Sequence, residues 1–326
     1  MKTQRELFDL IAKKEFKNKK LMYAYIGELL YVSADAVSKW SYGTTVINYV
    51  YLSKIIEHFK IRPDELFKSK SDYFYVKYKS LDMNNISLYR DYISGLDGLL
   101  SNASKVPNAK IYFQADEIPI FYFMPYKLLT FFKLYVYAYD MNKVELSYEE
   151  YVEQLDNYNL EPIFKSIATS YDNIESTEIW DYGILDNLLA QIEYFDELER
   201  FKNADSKTQL LQDLSDLLDN FKLLATSGEK TSGKRFDFFV KPFPLGRSFM
   251  IIHADKQQSV SLKVDTINSL TMIDRRIVDE SYTTFFAARD KSLAVGIGSE
   301  KERMKYFKYL KDKIDNIKNN QNDQNI

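Results

Sequence analysis

Residues 26–67 read IGELLYVSADAVSKWSYGTTVINYVYLSKIIEHFKIRPDELF, and their spacing decides the architecture of the N-terminal part of the chain. Ile26, Leu29 and Leu30 make one apolar stripe at helical spacing, and Gly27 within it leaves room for a neighbouring helix. Ser33 is placed to cap a second short helix by accepting from its free backbone N–H groups. On that helix Val37 and Trp40 turn inward, so Ala34, Asp35, Ser38 and Lys39 turn outward. Gly43 closes it, as a residue just past a helix end often must. Ile47, Val50, Tyr51, Ile55 and Phe59 give the apolar face of a third helix. Pro63 starts a final turn, with Asp64 and Glu65 favourable at its N-terminus. Upstream, Thr3-Gln-Arg-Glu6 is a capping-box pattern opening a helix through Leu7, Leu10 and Ile11.

This succession resembles the lambda-repressor-like helix-turn-helix DNA-binding superfamily over roughly the first fifth of the chain. The whole chain is similar to helix-turn-helix transcriptional regulators common in Bacteroidetes. In those, a head ending in a phrase like IRPDELF precedes a long C-terminal region. Two further phrases fit that group, EIPIFYFMPYKLLTFFKLYVYA (117–138) and GIGSEKERMKYFKYLKDKI (296–314). The resemblance implies that the helix from Ser33 to Ser41 enters the major groove. Ser33, Ala34, Asp35, Ser38, Lys39, Tyr42, Thr44 and Thr45 are then the DNA-contacting set. Three features depart from the pattern. The turn position usually held by Gly or Asn is Tyr31, a bulky residue at a strained turn. Lys39 is the one cation of the helix, and it shares it with Asp35, which accepts from cytosine N4–H but is repelled by phosphate. No Arg is present for a bidentate guanine contact. Phosphate contacts from Lys39, Thr44, Thr45 and nearby lysines are therefore expected to dominate affinity.

Charge is divided in the same sense. The 326 residues carry a net charge of −3, yet residues 1–70 hold 13 Lys and Arg against 8 Asp and Glu. The head is thus basic and the body acidic, which suits a DNA-binding head on a regulatory body. Lys13, Lys14, Lys17, Lys19 and Lys20 supply much of that excess and read equally as a solvated loop. A 45% hydrophobic content predicts a globular chain long enough for two or three domains. The absence of cysteine removes disulfides, thiolate metal sites and cysteine nucleophiles. The charged N-terminus does not read as a signal peptide, so a cytoplasmic protein is expected.

The expected fold class is α+β, mostly α. An all-α helix-turn-helix domain (1–68) and a linker (69–86) precede a mainly helical regulatory or dimerisation region (87–228). An α+β region (229–317) with a small antiparallel sheet and flanking helices follows, then a disordered tail (318–326). Within the linker, Tyr73, Tyr75 and Tyr78 suggest a short strand. A helix is expected from Ser87 to Leu100. The apolar tract Ile118–Tyr139 contains Pro119, Pro125, Lys127 and Lys133, so it reads as a buried strand or loop followed by a core helix from Pro125 to Ala138. It does not read as a membrane span. Its density of rings, Phe121 to Tyr139, reads first as core and second as the wall of a ligand pocket. Ser147-Tyr-Glu-Glu150 is a second capping box, and Pro162 starts another helix. Long helices are predicted over Thr177–Phe201 and Ser206–Thr226, with stripes wide enough for a bundle or a dimer interface. Strands are predicted at Phe236–Val240, Ser248–His253 and Ser259–Val264, with Asp255–Gln258 as a hairpin turn. A helix over Asp274–Ala288, an extended piece at Ser292–Ile297 and a helix capped at Ser299 complete the chain.

Several chemical motifs are weak. Gly228-Glu-Lys-Thr-Ser-Gly233-Lys234 matches most of a phosphate-binding loop, but Arg235 replaces the magnesium-holding hydroxyl and the segment joins helix to strand. It reads as a flexible turn. His58 and His253 lack partners for a serine triad. Asp116-Glu117 and Asp279-Glu280 are adjacent and so fall on different faces of any strand or helix. Asp274-Arg275-Arg276 reads as a helix-start salt bridge. No catalytic residue, cofactor or metal site is expected. The expected function is a sequence-specific transcriptional regulator that binds double-stranded DNA as a homodimer, with a C-terminal region that dimerises or senses a small-molecule or protein effector. The alternatives are an adaptor whose head docks another protein and, last, an enzyme in the C-terminal region.

Overall fold

The computed structural model describes residues 2–61, 76, 78, 81–142, 144–255, 257–265 and 267–323. The chain divides into two compact units, Met1–Tyr75 and Val76–Ile326. The smaller unit begins with α1 (Lys2–Glu15), α2 (Lys19–Leu30), α3 (Ala34–Ser41) and α4 (Tyr49–His58). Asn18, Ser33 and Asn48 cap α2, α3 and α4, each side chain accepting one backbone N–H. Leu7, Phe8, Ile11, Met22, Ile26, Leu30, Val37 and Ile55 form its core. The helix predicted to open at Thr3 already begins at Lys2, so Thr3 is inside it. The turn at Pro63 and most of the linker fall outside the described residues.

The larger unit is built on a seven-stranded mixed sheet, and this corrects the expected small antiparallel one. Its strands are β1 (Lys110–Ala115), β2 (Glu175–Asp181), β3 (Phe236–Lys241), β4 (Phe249–Ala254), β5 (Gln257–Lys263), β6 (Ser269–Met272) and β7 (Leu293–Ala294). They run in the order β6-β5-β4-β1-β2-β3-β7. β1, β2 and β3 are parallel to one another, while β4, β5, β6 and β7 join antiparallel. Parallel neighbours need crossovers, which the helices supply. Between β1 and β2 lie α6 (Ile120–Phe123), α7 (Lys127–Asn142), α8 (Tyr148–Asp156) and α9 (Glu161–Asp172); α5 (Ile86–Ser104) precedes β1. Between β2 and β3 lie α10 (Asp186–Glu197) and α11 (Ala204–Ser227), and α12 (Arg275–Arg289) and α13 (Glu300–Asp323) end the chain.

Alternation along the strands separates two cores. Ile111, Trp180, Phe236, Phe238, Val240, Met250 and Ile252 face the large helical layer. Ile179, Phe249, Ile251 and Val260 face the other way, onto Val278 and Phe285 of α12. Because β2 pairs with β3, the expected boundary at 228/229 does not separate two domains. The predicted helix over Thr177–Phe201 is instead β2 followed by α10, and Ile118–Phe123 ends in the single helical turn α6. The tail read as disordered is helical to Asp323, as α13. The capping box at Ser147 forms as read, with Glu150 returning a bond to the Ser147 N–H. Among the described residues no helix is long and apolar enough to cross a membrane.

Candidate functional site

The smaller unit presents α3 on a tight turn. α2 ends at Tyr31, whose backbone is left-handed (φ 56°) and whose side chain is 96% exposed. Val32 N–H donates to Gly27 O at 2.9 Å, which folds the chain back across the last turn of α2. A Cβ on Gly27 would meet Val32 O at 2.8 Å, so only glycine admits this approach. Val37 and Trp40 are buried, as read. Ser33, Ala34, Asp35, Lys39, Tyr42, Thr44 and Thr45 are exposed, and Ser38 is half-buried. The residues predicted to contact DNA are thus accessible, separated along the chain by buried Val37, Trp40, Ser41 and Gly43.

Two details of this surface were not readable beforehand. Lys39 Nζ is 2.8 Å from Asp35 Oδ2, one helical turn away, so the single cation of α3 is paired with its single anion. Gln4 of α1 clamps the loop after α3. Its Nε2 donates to Trp40 O at 2.7 Å and Thr45 O at 2.8 Å, and its Oε1 accepts from Ile47 N–H at 3.1 Å. Gly43, at φ +67°, packs on the Arg5 side chain in the same loop. Three apolar residues that follow, Val46, Tyr49 and Val50, are also exposed.

In the larger unit a cavity of about 650 Å³ lies beside α5 and the sheet, and includes residues just past the carboxyl end of β1. Leu96, Leu99, Phe113, Ile118, Phe121, Phe123 and Met250 give it apolar walls. Of the aromatic tract, Phe121 and Phe123 line it, whereas Phe131, Phe132 and Tyr135 belong to the core. Glu117, Lys133 and Lys263 form its charged end. Lys133 Nζ donates to Glu117 Oε2 at 3.1 Å and to Gln191 Oε1 at 3.0 Å. Lys263 Nζ lies 3.1 Å from Asp116 Oδ1 and 3.4 Å from Glu117 Oε2. Asn187 donates to the other Glu117 oxygen, and Ser248 Oγ donates to Asp116. Burial pulls the Lys133 ammonium down and would push the Glu117 carboxyl up; the Lys133 and Lys263 ammoniums prevail and hold Glu117 below its ordinary range. The expectation that Asp116 and Glu117 must diverge is corrected here. They lie beyond the last residue of β1, free of strand alternation, and both reach the same ammonium nitrogen.

A second polar cluster is buried and closed. Glu178 of β2 is 0% exposed and accepts from Tyr122 Oη (2.6 Å), Tyr171 Oη (2.7 Å), Ser176 Oγ (3.1 Å) and Trp180 Nε1 (3.0 Å). Lys230 lies over the Tyr171 ring and donates to Tyr171 O, and burial pulls its ammonium down to about 8. Lys230 belongs to the phosphate-loop-like segment. That segment is a turn from α11 to β3, pinned by Asp172 accepting from Thr231 N–H and Ser232 N–H, and is not a loose loop. Lys230 points into the protein, whereas Lys234, the lysine of the Gly233-Lys234 pair, is exposed.

The remaining motifs serve local structure. His58 meets the Tyr25 hydroxyl and His253 the Tyr282 hydroxyl, each at 2.9 Å. Asp274 caps α12 and pairs with Arg276, as read. Comparison with known protein families, curated proteins and solved structures found no match for this chain.

Proposed function

We propose that this protein is a sequence-specific DNA-binding transcriptional regulator, its smaller unit engaging double-stranded DNA through α3 and its larger unit dimerising or sensing a signal. The observation that carries the reading is the exposed face of Ala34, Asp35 and Lys39 on a short helix, continued by exposed Tyr42, Thr44 and Thr45 in the loop after it, and set against α2 by a turn that only Gly27 permits. Such a helix presents its N-terminal residues to base edges when it lies in the major groove. The Lys39–Asp35 pair leaves α3 electrically neutral, so phosphate contacts fall to Thr44, Thr45 and the exposed lysines Lys13 and Lys17. The proposed cellular setting is the cytoplasm and the proposed assembly a homodimer reading two half-sites.

The exposed Val46, Tyr49 and Val50 favour a second reading, an adaptor whose head docks a protein, because phosphate recognition has no use for them. The two readings part in one experiment: fragmented source-genome DNA is retained on the purified protein at two salt concentrations and sequenced. Enrichment of a short dyad-symmetric site at both salts supports the regulator. Uniform retention that vanishes at the higher salt defeats it and leaves the adaptor.

A further inference from the structure

We propose that the cavity beside α5 binds a small organic acid, one carboxylate on an apolar body, with Lys133 and Lys263 receiving the carboxylate. This deepens the signal-sensing part of the regulator reading by naming the chemistry of the signal. A volume of about 650 Å³ suits a small molecule rather than a macromolecular segment. Leu96, Leu99, Ile118, Phe121 and Phe123 provide an apolar chamber for the body of such a ligand.

The charged end favours an acceptor over a donor. An ammonium has three N–H donors. Among the described residues Lys133 meets Glu117 and Gln191, and Lys263 meets Asp116 and, at 3.4 Å, Glu117. Each ammonium thus retains one donor. Glu117 is committed on both oxygens, one to Asn187 and the other to the two lysines. At this end an incoming carboxylate finds donors, whereas an incoming ammonium would have to displace a lysine from Glu117; the cavity's other carboxylate, Asp91 on α5, already has a partner.

The second observation is independent of charge. Gly95 and Gly98 lie inside α5 and both line the cavity. Glycine weakens a helix interior relative to almost any other residue. Neither has a left-handed backbone, and a Cβ built on either meets nothing within 4 Å. Packing therefore does not require glycine at either position. Both are exposed and line the cavity, so each leaves open volume beside it that an occupant would use.

The test is titration calorimetry of the full-length protein, without DNA, with octanoate and with its uncharged counterpart octanamide. Octanoate should bind at one site, and octanamide should bind about ten-fold or more weakly, the usual cost of losing a charge-assisted hydrogen bond. Lys263→Met should weaken octanoate by about ten-fold and octanamide little. Gly98→Leu should remove binding of both while keeping or raising the melting temperature, since leucine favours the helix. Failure of octanoate to bind at millimolar concentration, equal binding of acid and amide, or a folded Gly98→Leu protein that binds like wild type would each overturn the proposal. If Lys263→Met does not fold, the amide comparison and Gly98→Leu decide. Loss of DNA selection alone sinks the regulator reading and leaves this site standing. A protein that selects DNA but ignores octanoate sinks this site alone.

Discussion

Gly27 and Val32 approach so closely that a Cβ on Gly27 would lie 2.8 Å from the Val32 carbonyl oxygen. That oxygen is backbone, held by the turn, and cannot swing aside as a side chain would. Gly27→Ala should therefore push α3 away from α2 and destabilise the smaller unit by about 1–3 kcal/mol, the usual cost of overpacking. Hydrogen exchange reads it directly: amides of α2 and α3 should lose protection while those of β1, β2 and β3 keep theirs. Unchanged protection of α2 and α3 would show that the turn yields more easily than this contact implies.

The Asp35–Lys39 pair sets the electrostatics of the proposed recognition helix. Both side chains are mostly exposed, so the pair contributes little to stability. Asp35→Asn should leave the melting temperature nearly unchanged and free Lys39 for a phosphate. Affinity for DNA of any sequence should then rise, and the plot of log affinity against log salt should steepen by about one contact per head. Filter binding across a salt series checks both, and an unchanged slope would place α3 away from the backbone.

Glu178 is the polar centre of the larger unit. Glu178→Ala would strand four buried donors, on Tyr122, Tyr171, Ser176 and Trp180, and should cost about 3 kcal/mol or more. Glu178→Gln should cost less. It keeps an oxygen where three of those donors converge and turns an amide N–H2 only toward Trp180 Nε1. Urea melts of the three proteins should rank wild type, Gln, Ala; a Gln variant as unstable as Ala would mean that charge, not hydrogen bonding, holds the cluster.

Lys230 gives stability a pH dependence of definite sign. In the unfolded chain its ammonium titrates at the ordinary lysine value near 10.5, and in the folded protein burial lowers it to about 8. Between those values the unfolded state binds more protons, so this residue makes stability rise with pH across that window. Below pH 8 both states are protonated and the cost of burying the charge is fully present. Lys230→Met should be the more stable protein relative to wild type at pH 7.5, and the gap should close by about 1–2 kcal/mol at pH 9.5. Paired urea melts at the two pH values measure it, and a gap independent of pH would show that Lys230 is solvated in the folded protein and binds its proton there as it does in the unfolded chain.

The smaller unit was legible because its signals are local. Ser33 capping α3, Gly43 beyond its end, and Val37 with Trp40 inside are relations among residues within a few positions of one another. The same holds for the Ser147 box and the Asp274 cap. β2 was misread for the opposite reason. Its inward face carries Ser176, Glu178 and Trp180, so the alternation that marks a strand is spoiled by a buried carboxyl group. That group is tolerated only because hydroxyls from Tyr122 and Tyr171, on other elements, turn to meet it.

What the sequence by itself determined is several of the helices, the caps at Ser33, Ser147 and Asp274, and the exposed face of α3, since a helix closes its hydrogen bonds within four residues and shows its buried side as a stripe. Only the tertiary structure decided the parallel pairing of β1, β2 and β3, the convergence of Asp116, Glu117, Lys133 and Lys263, and the cavity beside them. Strand order and cavities are made by residues far apart in the chain. A lysine on α7 and another at the end of β5 carry no local sign that they will share one carboxylate, because the contact exists only once the sheet has brought β1 and β5 to either side of β4.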